Sequence, residues 1–201
     1  MTRAGRIVVL NGAPRSGKSS IARAMQDGLA GTWMNIGVDA AMALAPKAIQ
    51  PGIGLRPGGE RPDLEPLLLP LYLALYDSIA AHARQGFDVV ADLGHHDVYS
   101  RPLGLLPACA RRLAGLDALL VGIRCPVAVN LARRQADPQR GFYSLDPDII
   151  ARWEAAVHRP GLYDLELDTS ELTPAESAAK ICLLLAAPPS SRAFERLAAQ
   201  G

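Results

Sequence analysis

Lysine and cysteine each occur only three times in these 201 residues, and no long hydrophobic run is present. Cys109, Cys125 and Cys182 are odd in number and far apart, so they offer neither a disulfide framework nor a zinc spacing. They read as small buried apolar residues in a reducing cytoplasm. The net charge is +1, which provides no strong field for nucleic acid or an acidic membrane surface. Residues 1–6 are polar and the apolar run behind them is too short for a signal peptide. The apolar stretch 67–75 contains Pro70 and Tyr72 and is too short to span a bilayer. No internal repeat is visible.

Hydrophobic residues make up 49%, enough for a sizeable core. The length fits one α/β domain with a small inserted segment. Because nearly all basic residues are arginine, the position of Lys18 is informative. It completes Gly12-Ala13-Pro14-Arg15-Ser16-Gly17-Lys18-Ser19, a G-x-x-x-x-G-K-[ST] phosphate-binding loop. The β-branched run Arg6-Ile7-Val8-Val9-Leu10-Asn11 precedes it, and the helical pattern from Ser19 through Gln26 follows it. Gly12 and Gly17 let the backbone bend so that its N–H groups face a di- or triphosphate. The helix N-terminus adds partial positive charge. Lys18 is placed to reach the β- and γ-phosphates, and the Ser19 hydroxyl to ligate Mg²⁺.

Strand patterns recur over residues 6–10, 33–38, 87–91, 116–124 and 162–168. Helical patterns fill 18–30, 40–49, 64–85, 101–114, 126–136, 146–158 and 173–186. This alternation predicts a P-loop NTPase fold: three layers, α/β/α, around a five-stranded parallel sheet, with a small lid and acceptor-side insertion. A P-loop domain is expected over 1–186, with an acceptor-side segment at 51–70 and a lid-like segment at 133–145. Residues 187–201 read as a linker and a short C-terminal helix. Thr173-Pro174-Ala175-Glu176 reads as a capping box, and the helix it opens is expected to cover the sheet near its first strand.

Ligands of such sheets bind at the carboxyl ends of the strands. Polar residues stand at all five ends: Asn11, Asp39, Asp92, Arg124 and the run Asp168-Thr169-Ser170. Asp92 reads as a carboxylate of the Mg²⁺ shell, or as a turn residue. Asp39 reads as a base for an acceptor hydroxyl, or as a helix N-cap, and the two roles are compatible. Arg133, Arg134 and Arg140 are candidate cations over a transferring phosphoryl group. A solvated helix face is the other reading, strongest for Arg134. His95 and His96 stand in a loop where they could touch an acceptor or simply be structural. His158 reads as a helix-end histidine bonded to terminal carbonyls. The apolar residues of 51–75 form either an acceptor wall or ordinary lid-to-core packing.

Taken together, five pieces resemble the chloramphenicol phosphotransferase-like P-loop kinases, over about 6–185. They are the strand and loop from Ile7 to Ser19; Gly37-Val38-Asp39; Val89-Val90-Ala91-Asp92; Val121-Gly122-Ile123-Arg124-Cys125; and Val157-His158 followed by Tyr163-Asp164-Leu165-Glu166-Leu167-Asp168-Thr169-Ser170. The resemblance implies ATP- and Mg²⁺-dependent transfer of the γ-phosphoryl group to a hydroxyl of a small acceptor, a chloramphenicol-like antibiotic or a related compound. It implies Asp39 as base and Arg133 and Arg140 as lid cations. Nucleotide contacts are expected from Gly12, Ala13, Pro14, Arg15, Ser16, Gly17, Lys18, Ser19, Ser20, Asp168 and Thr169, and metal contacts from Ser19 and Asp92. Asp137 stands where that family's lid has arginine, and Gln139 where it has aspartate. Two other readings stay open: a kinase for a sugar, nucleotide sugar or other metabolite, and a nucleotide-binding regulatory module without phosphotransfer. A nucleotide-hydrolysing switch ranks lower, since no Asn-Lys-x-Asp tetrad is present.

Overall fold

The computed structural model describes residues 3–137 and 144–200. Its sheet grows from the apolar run before the phosphate loop. This run forms β1 (Ile7–Asn11), every residue of which is buried. The other strands are β2 (Trp33–Asn35), β3 (Asp88–Leu93), β4 (Ala118–Arg124) and β5 (Leu165–Asp168). All pairings are parallel, in the order β2-β3-β1-β4-β5. In this register Val9 lies opposite both Ala91 and Leu120. A parallel sheet covered on both faces needs apolar residues at successive positions, which is why these strands read as continuous runs.

The period of two divides those residues between two cores. Val8 and Leu10 join Ile21 and Met25 of α1 (Lys18–Gly28) and Ile181 of α7 (Pro174–Ala186). Ile7 and Val9 join Tyr72 and Tyr76 of α3 (Glu65–Arg84), Cys109 of α4 (Leu105–Arg112) and Phe194 of α8 (Ala193–Ala198). The capping box of α7 forms, with Glu176 N donating to Thr173 Oγ1 at 3.2 Å and Thr173 N donating to Glu176 Oε2 at 2.8 Å. Three further helices gather at the carboxyl ends of the strands: α2 (Val38–Ala43), α5 (Val127–Ala136) and α6 (Pro147–Val157). Among the described residues no helix is long and apolar enough to cross a membrane.

Local chemistry moves several boundaries. The strand expected over 33–38 stops at Asn35. The helix expected over 40–49 covers Val38–Ala43 and is broken before Pro46, after which short 3₁₀ turns run over Lys47–Ile49 and Gly52–Gly54. The helix expected from 101 begins at Leu105, because the Asp97 carboxylate accepts from Leu103 N (2.8 Å) and Gly104 N (3.1 Å) and holds the chain in a loop. The C-terminal helix packs into the main core: Phe194 and Leu197 are buried, and Ala193 N donates to Asp164 Oδ1 at 2.7 Å. At the sheet edge, Arg6 NH2 lies 2.6 Å from Asp88 Oδ2 and its guanidinium sits 5.1 Å from the Trp33 ring centroid. Burial alone would raise the Asp88 pKa, but the Arg6 hydrogen bonds and charge outweigh it and hold the carboxyl below its usual range.

Candidate active site

Two clefts flank the phosphate loop, and the loop's shape follows from close contacts. A Cβ at Gly12 would sit 2.4 Å from the Ile123 carbonyl oxygen, so this position has no room for a side chain. Gly17 caps α1 with φ 102°, in the left-handed region that favours glycine. Arg15 has φ 69°, a conformation costing a non-glycine residue about 1–2 kcal/mol. Its guanidinium donates to Asp137 Oδ2 (3.2 Å) and the Arg133 carbonyl (2.7 Å), which fix it in place. The unusual Asp137 of the lid-like segment thus answers an arginine of the loop.

Lys18 is buried inside the loop, donating from Nζ to the carbonyls of Gly12 (2.9 Å) and Ala13 (2.8 Å), 3.8 Å from Asp92 Oδ1. Burial lowers its pKa, and the charges of Asp92 and Asp39 oppose that shift. Ser19 donates from Oγ to Asp92 Oδ2 at 2.5 Å. Hydroxyl and carboxylate oxygens side by side are the hard donors that suit Mg²⁺. Asp92 is itself a residue of β3, opposite Leu10, rather than part of a following turn.

Asp39 stands in the first turn of α2, but Gly37 occupies the N-cap position, which corrects the capping reading of Asp39. A Cβ on Gly37 would lie 2.9 Å from the Asp92 carbonyl oxygen. The glycine therefore lets the start of α2 rest against the end of β3. Asp39 is exposed and makes no hydrogen bond among the described residues. Together with Arg15, Lys18 and Ser19 it lines both clefts.

The first cleft, of about 440 Å³, runs from these four residues to Val38, Met42, Ile53, Arg56, Ile149 and Trp153. Part of the 51–75 segment therefore does form a wall. Tyr72 is buried in the core, and its hydroxyl donates to the Ile53 carbonyl at 3.1 Å. The second cleft, of about 620 Å³, continues past Gly17 and Ser20 to Arg133, Thr169, Leu172 and Pro174.

Two of the three candidate arginines meet the phosphate loop from α5. Arg133 donates from NH1 to the Ser16 carbonyl (3.2 Å) and Thr169 Oγ1 (2.9 Å), and from NH2 to the Thr169 carbonyl (2.6 Å). Arg134, for which a solvated face was an open reading, is 3% exposed. It donates to Asn130 Oδ1 (2.7 Å), the Ser144 carbonyl (2.7 Å) and the Pro14 carbonyl (3.2 Å), and lines the first cleft. Both brace the loop from α5. Arg140 lies outside the described residues. At the end of β5, Thr169 donates from Oγ1 to the Ser16 carbonyl at 2.7 Å and lines the second cleft, while Asp168 caps Ser170 N at 2.8 Å.

Other strand-end candidates are structural. Arg124 pairs with Glu166 at 2.7 Å on the surface. Asn11 is buried, donating from Nδ2 to the Val157 carbonyl (2.8 Å) and Tyr163 OH (3.0 Å) and accepting from His95 N (2.6 Å). The His95 ring stacks on Tyr72 with Nε2 2.8 Å from Tyr76 OH, so it belongs to the core and does not reach the clefts. Burial, then the His96 charge, push its pKa down to about 3. His96 Nε2 donates to the Leu55 carbonyl at 2.8 Å, the tautomer being set by Val98 N donating to Nδ1 at 3.3 Å. Burial lowers its pKa too.

His158 meets side chains, correcting the reading that bonds it to helix-terminal carbonyls. Its Nδ1 lies 2.7 Å from Tyr163 OH and its Nε2 3.2 Å from Glu154 Oε1. Tyr163 OH itself donates to the Val157 carbonyl at 3.1 Å, and Cys125 N donates to Glu154 Oε1 at 3.2 Å. This chain of contacts ties α6, with its cleft-lining Trp153, to the ends of β1 and β4. Sequence reasoning missed Arg56, Glu154 and Trp153, since only the fold brings each of them to the cleft or its supports. For Arg56 alone a signal existed: a basic residue between Leu55 and Pro57 in a Pro/Gly-rich segment.

A phosphate loop on a five-stranded parallel sheet, opening into two clefts that share a lysine, a serine and a free carboxylate, defines a P-loop phosphotransferase. The family described as chloramphenicol phosphotransferase-like protein matches residues 5–185, and the chain belongs to it. The chain is 31% identical over 208 residues to a Mycobacterium tuberculosis H37Rv protein provisionally named an O-phosphotransferase, covering 96% of this chain and 88% of the relative. Its fold is similar to that of the M. tuberculosis APS kinase solved with AMPPNP and APS (TM-score 0.61, 18% identity, 92% of this chain and 99% of that one). It is also similar to that of the Acinetobacter baumannii shikimate kinase solved with shikimate (TM-score 0.61, 13% identity, 94% and 97%). The chain is a kinase of this family.

Proposed function

We propose that this kinase moves the γ-phosphoryl group of ATP to a hydroxyl of a small molecule, a chloramphenicol-like antibiotic or a related hydroxylated compound. The observation that carries this reading is Asp39, an exposed carboxylate without a hydrogen-bond partner among the described residues, standing where the two clefts meet. The second cleft takes the nucleotide and the first takes the acceptor. The acceptor oxygen attacks the γ-phosphorus, the bond from that phosphorus to the β,γ-bridging oxygen breaks, and ADP leaves with the electron pair. Asp39 takes the acceptor proton.

The loop amides and Lys18 bind the phosphates. Thr169 and Arg133 both bond the Ser16 carbonyl, which preorganises the loop for phosphate. Ser19 and Asp92 would hold Mg²⁺, whose contribution when bound is to neutralise charge on the β- and γ-phosphates. Arg140, proposed to cover the transferring group, lies outside the described residues. A cytoplasmic setting fits the three free cysteines.

The test is to incubate the purified protein with MgATP and chloramphenicol and weigh the drug by mass spectrometry. A gain of one phosphoryl group, lost in Asp39→Asn and Lys18→Ala, would establish both the reaction and the acceptor. Unchanged chloramphenicol moves the acceptor elsewhere among hydroxylated antibiotics and sugars. Tight MgATP binding with no product on any acceptor would instead support a regulatory nucleotide-binding module.

A further inference from the structure

Arg56 lines the first cleft, half-buried, and among the described residues no acidic group or carbonyl pairs with its guanidinium. Its neighbours in the same cleft are engaged: Arg15 bonds Asp137, and Arg134 bonds Asn130 and Pro14. Nor is Arg56 a surface side chain on a loose loop. Tyr72 OH donates to the Ile53 carbonyl at 3.1 Å, His96 Nε2 to the Leu55 carbonyl at 2.8 Å, and Gly58 N to the Val98 carbonyl at 2.8 Å. Leu55 and Pro57, on either side of it, are buried. The backbone is thus pinned before and after Arg56, and the strap presents one cation to the cleft. The two buried histidines, which do not touch the cleft, acquire a purpose here. His95 stacks on Tyr72, and His96 bonds the strap directly.

An unanswered guanidinium partly removed from water is costly, and an anion that meets it offsets that cost. Its planar fork matches carboxylate or phosphate oxygens two at a time. Ile53, Met42 and Trp153 supply an apolar part of the same wall. We infer that the acceptor is a hydroxylated small molecule carrying an anionic group, a carboxylate or a phosphate monoester, which Arg56 binds while the hydroxyl faces Asp39. This rests on the reading of the first cleft as the acceptor site and narrows it. Chloramphenicol has no such group and serves as the neutral arm of the test.

The protein saturated with MgADP is titrated calorimetrically with two matched pairs: 3-phenyllactate against 3-phenyllactamide, and gluconate against gluconamide. Glycerol 3-phosphate against glycerol separates phosphate from carboxylate preference. At least one anion is expected to bind wild type about ten- to a hundredfold more tightly than its neutral partner, the range of a charge-assisted hydrogen bond. Arg56→Gln should erase that preference and Arg56→Lys should keep part of it. Equal binding of anion and neutral partner, no binding by any probe, or an unchanged preference in Arg56→Gln would overturn the inference. The same compounds and chloramphenicol are then offered with MgATP, and products are weighed. Chloramphenicol phosphorylated equally by wild type and Arg56→Gln removes the anion site and leaves the kinase reading intact. Arg56-dependent binding of an anion with no phosphorylated product from any compound does the reverse.

Discussion

At the scale of single residues, the site depends on side chains whose neighbours leave them free. Asp39 is exposed and unbonded among the described residues, while Lys18, Ser19 and Asp92 are already tied to one another or to the loop. Asp39→Asn should therefore lower kcat about 10²- to 10⁴-fold, the usual contribution of a general base. The melting temperature should move little, because Asp39 makes no hydrogen bond among the described residues and only its charge toward Lys18 is removed. A variant with near wild-type turnover would remove Asp39 from the base role. Gly37 makes a second residue-scale prediction. Its φ of −116° suits alanine, so what opposes Gly37→Ala is the close approach of a new Cβ to Asp92, 2.9 Å from its carbonyl oxygen and 3.1 Å from its Cβ. That methyl should push α2 off β3 and move Asp39. A displacement near 1 Å costs up to about 10²-fold in rate, and steady-state kinetics on the best acceptor would read it.

At the scale of elements, α8 holds the fold and α5 holds the phosphate loop. The short C-terminal helix α8 inserts Phe194 and Leu197 into the core beside Tyr76, and its first amide bonds Asp164. Phe194→Ala should cost about 3–5 kcal/mol in urea unfolding, far more than a loosely tethered tail would show. Helix α5 carries Arg133 and Arg134 onto two phosphate-loop carbonyls, Ser16 and Pro14, and onto the Thr169 carbonyl after β5. An expected lid element thus acts, in its described part, as a brace. Arg133→Gln should weaken MgADP binding in calorimetry by about tenfold, as loss of a charged hydrogen-bond donor to the loop predicts.

At the scale of the whole molecule, the buried neutral histidines set the acid limit. His95 titrates near 3 in the folded protein against an ordinary 6.5, because burial disfavours its charged form. Between those values the unfolded chain binds the proton and the folded chain does not. Stability therefore rises with pH through that window, by about 1.4 kcal/mol per unit for one group. Urea midpoints should fall steadily from pH 7 to pH 4. His95→Gln should be less stable at pH 7 but show a shallower fall, the remainder coming from His96, whose pKa burial also lowers. An unchanged slope in that variant would exclude His95 as the cause. Below that range the Asp88 carboxyl, held down by Arg6, adds its own loss as it protonates.

The phosphate loop, the strand before it and the helix after it were legible in the sequence, because their rules are local: glycine where φ is positive or space is absent, lysine and serine at fixed spacing, apolar runs for a doubly covered sheet. The α7 capping box was legible for the same reason. The sequence by itself thus determined the parallel α/β fold and the place of the phosphate loop, and it nominated Asp39. Only the tertiary structure decided what the arginines and histidines do. Arg133 meets Thr169 from 36 positions away, His96 meets Leu55 from 41, and Asn11 meets Val157 from 146. No periodicity or motif encodes such pairs. Whether a cation braces a loop, stands free in a cleft or faces water depends on which distant carbonyls and carboxylates the fold brings to it. That is why Arg134 became a buried brace and Arg56 a cleft-lining cation without a partner among the described residues.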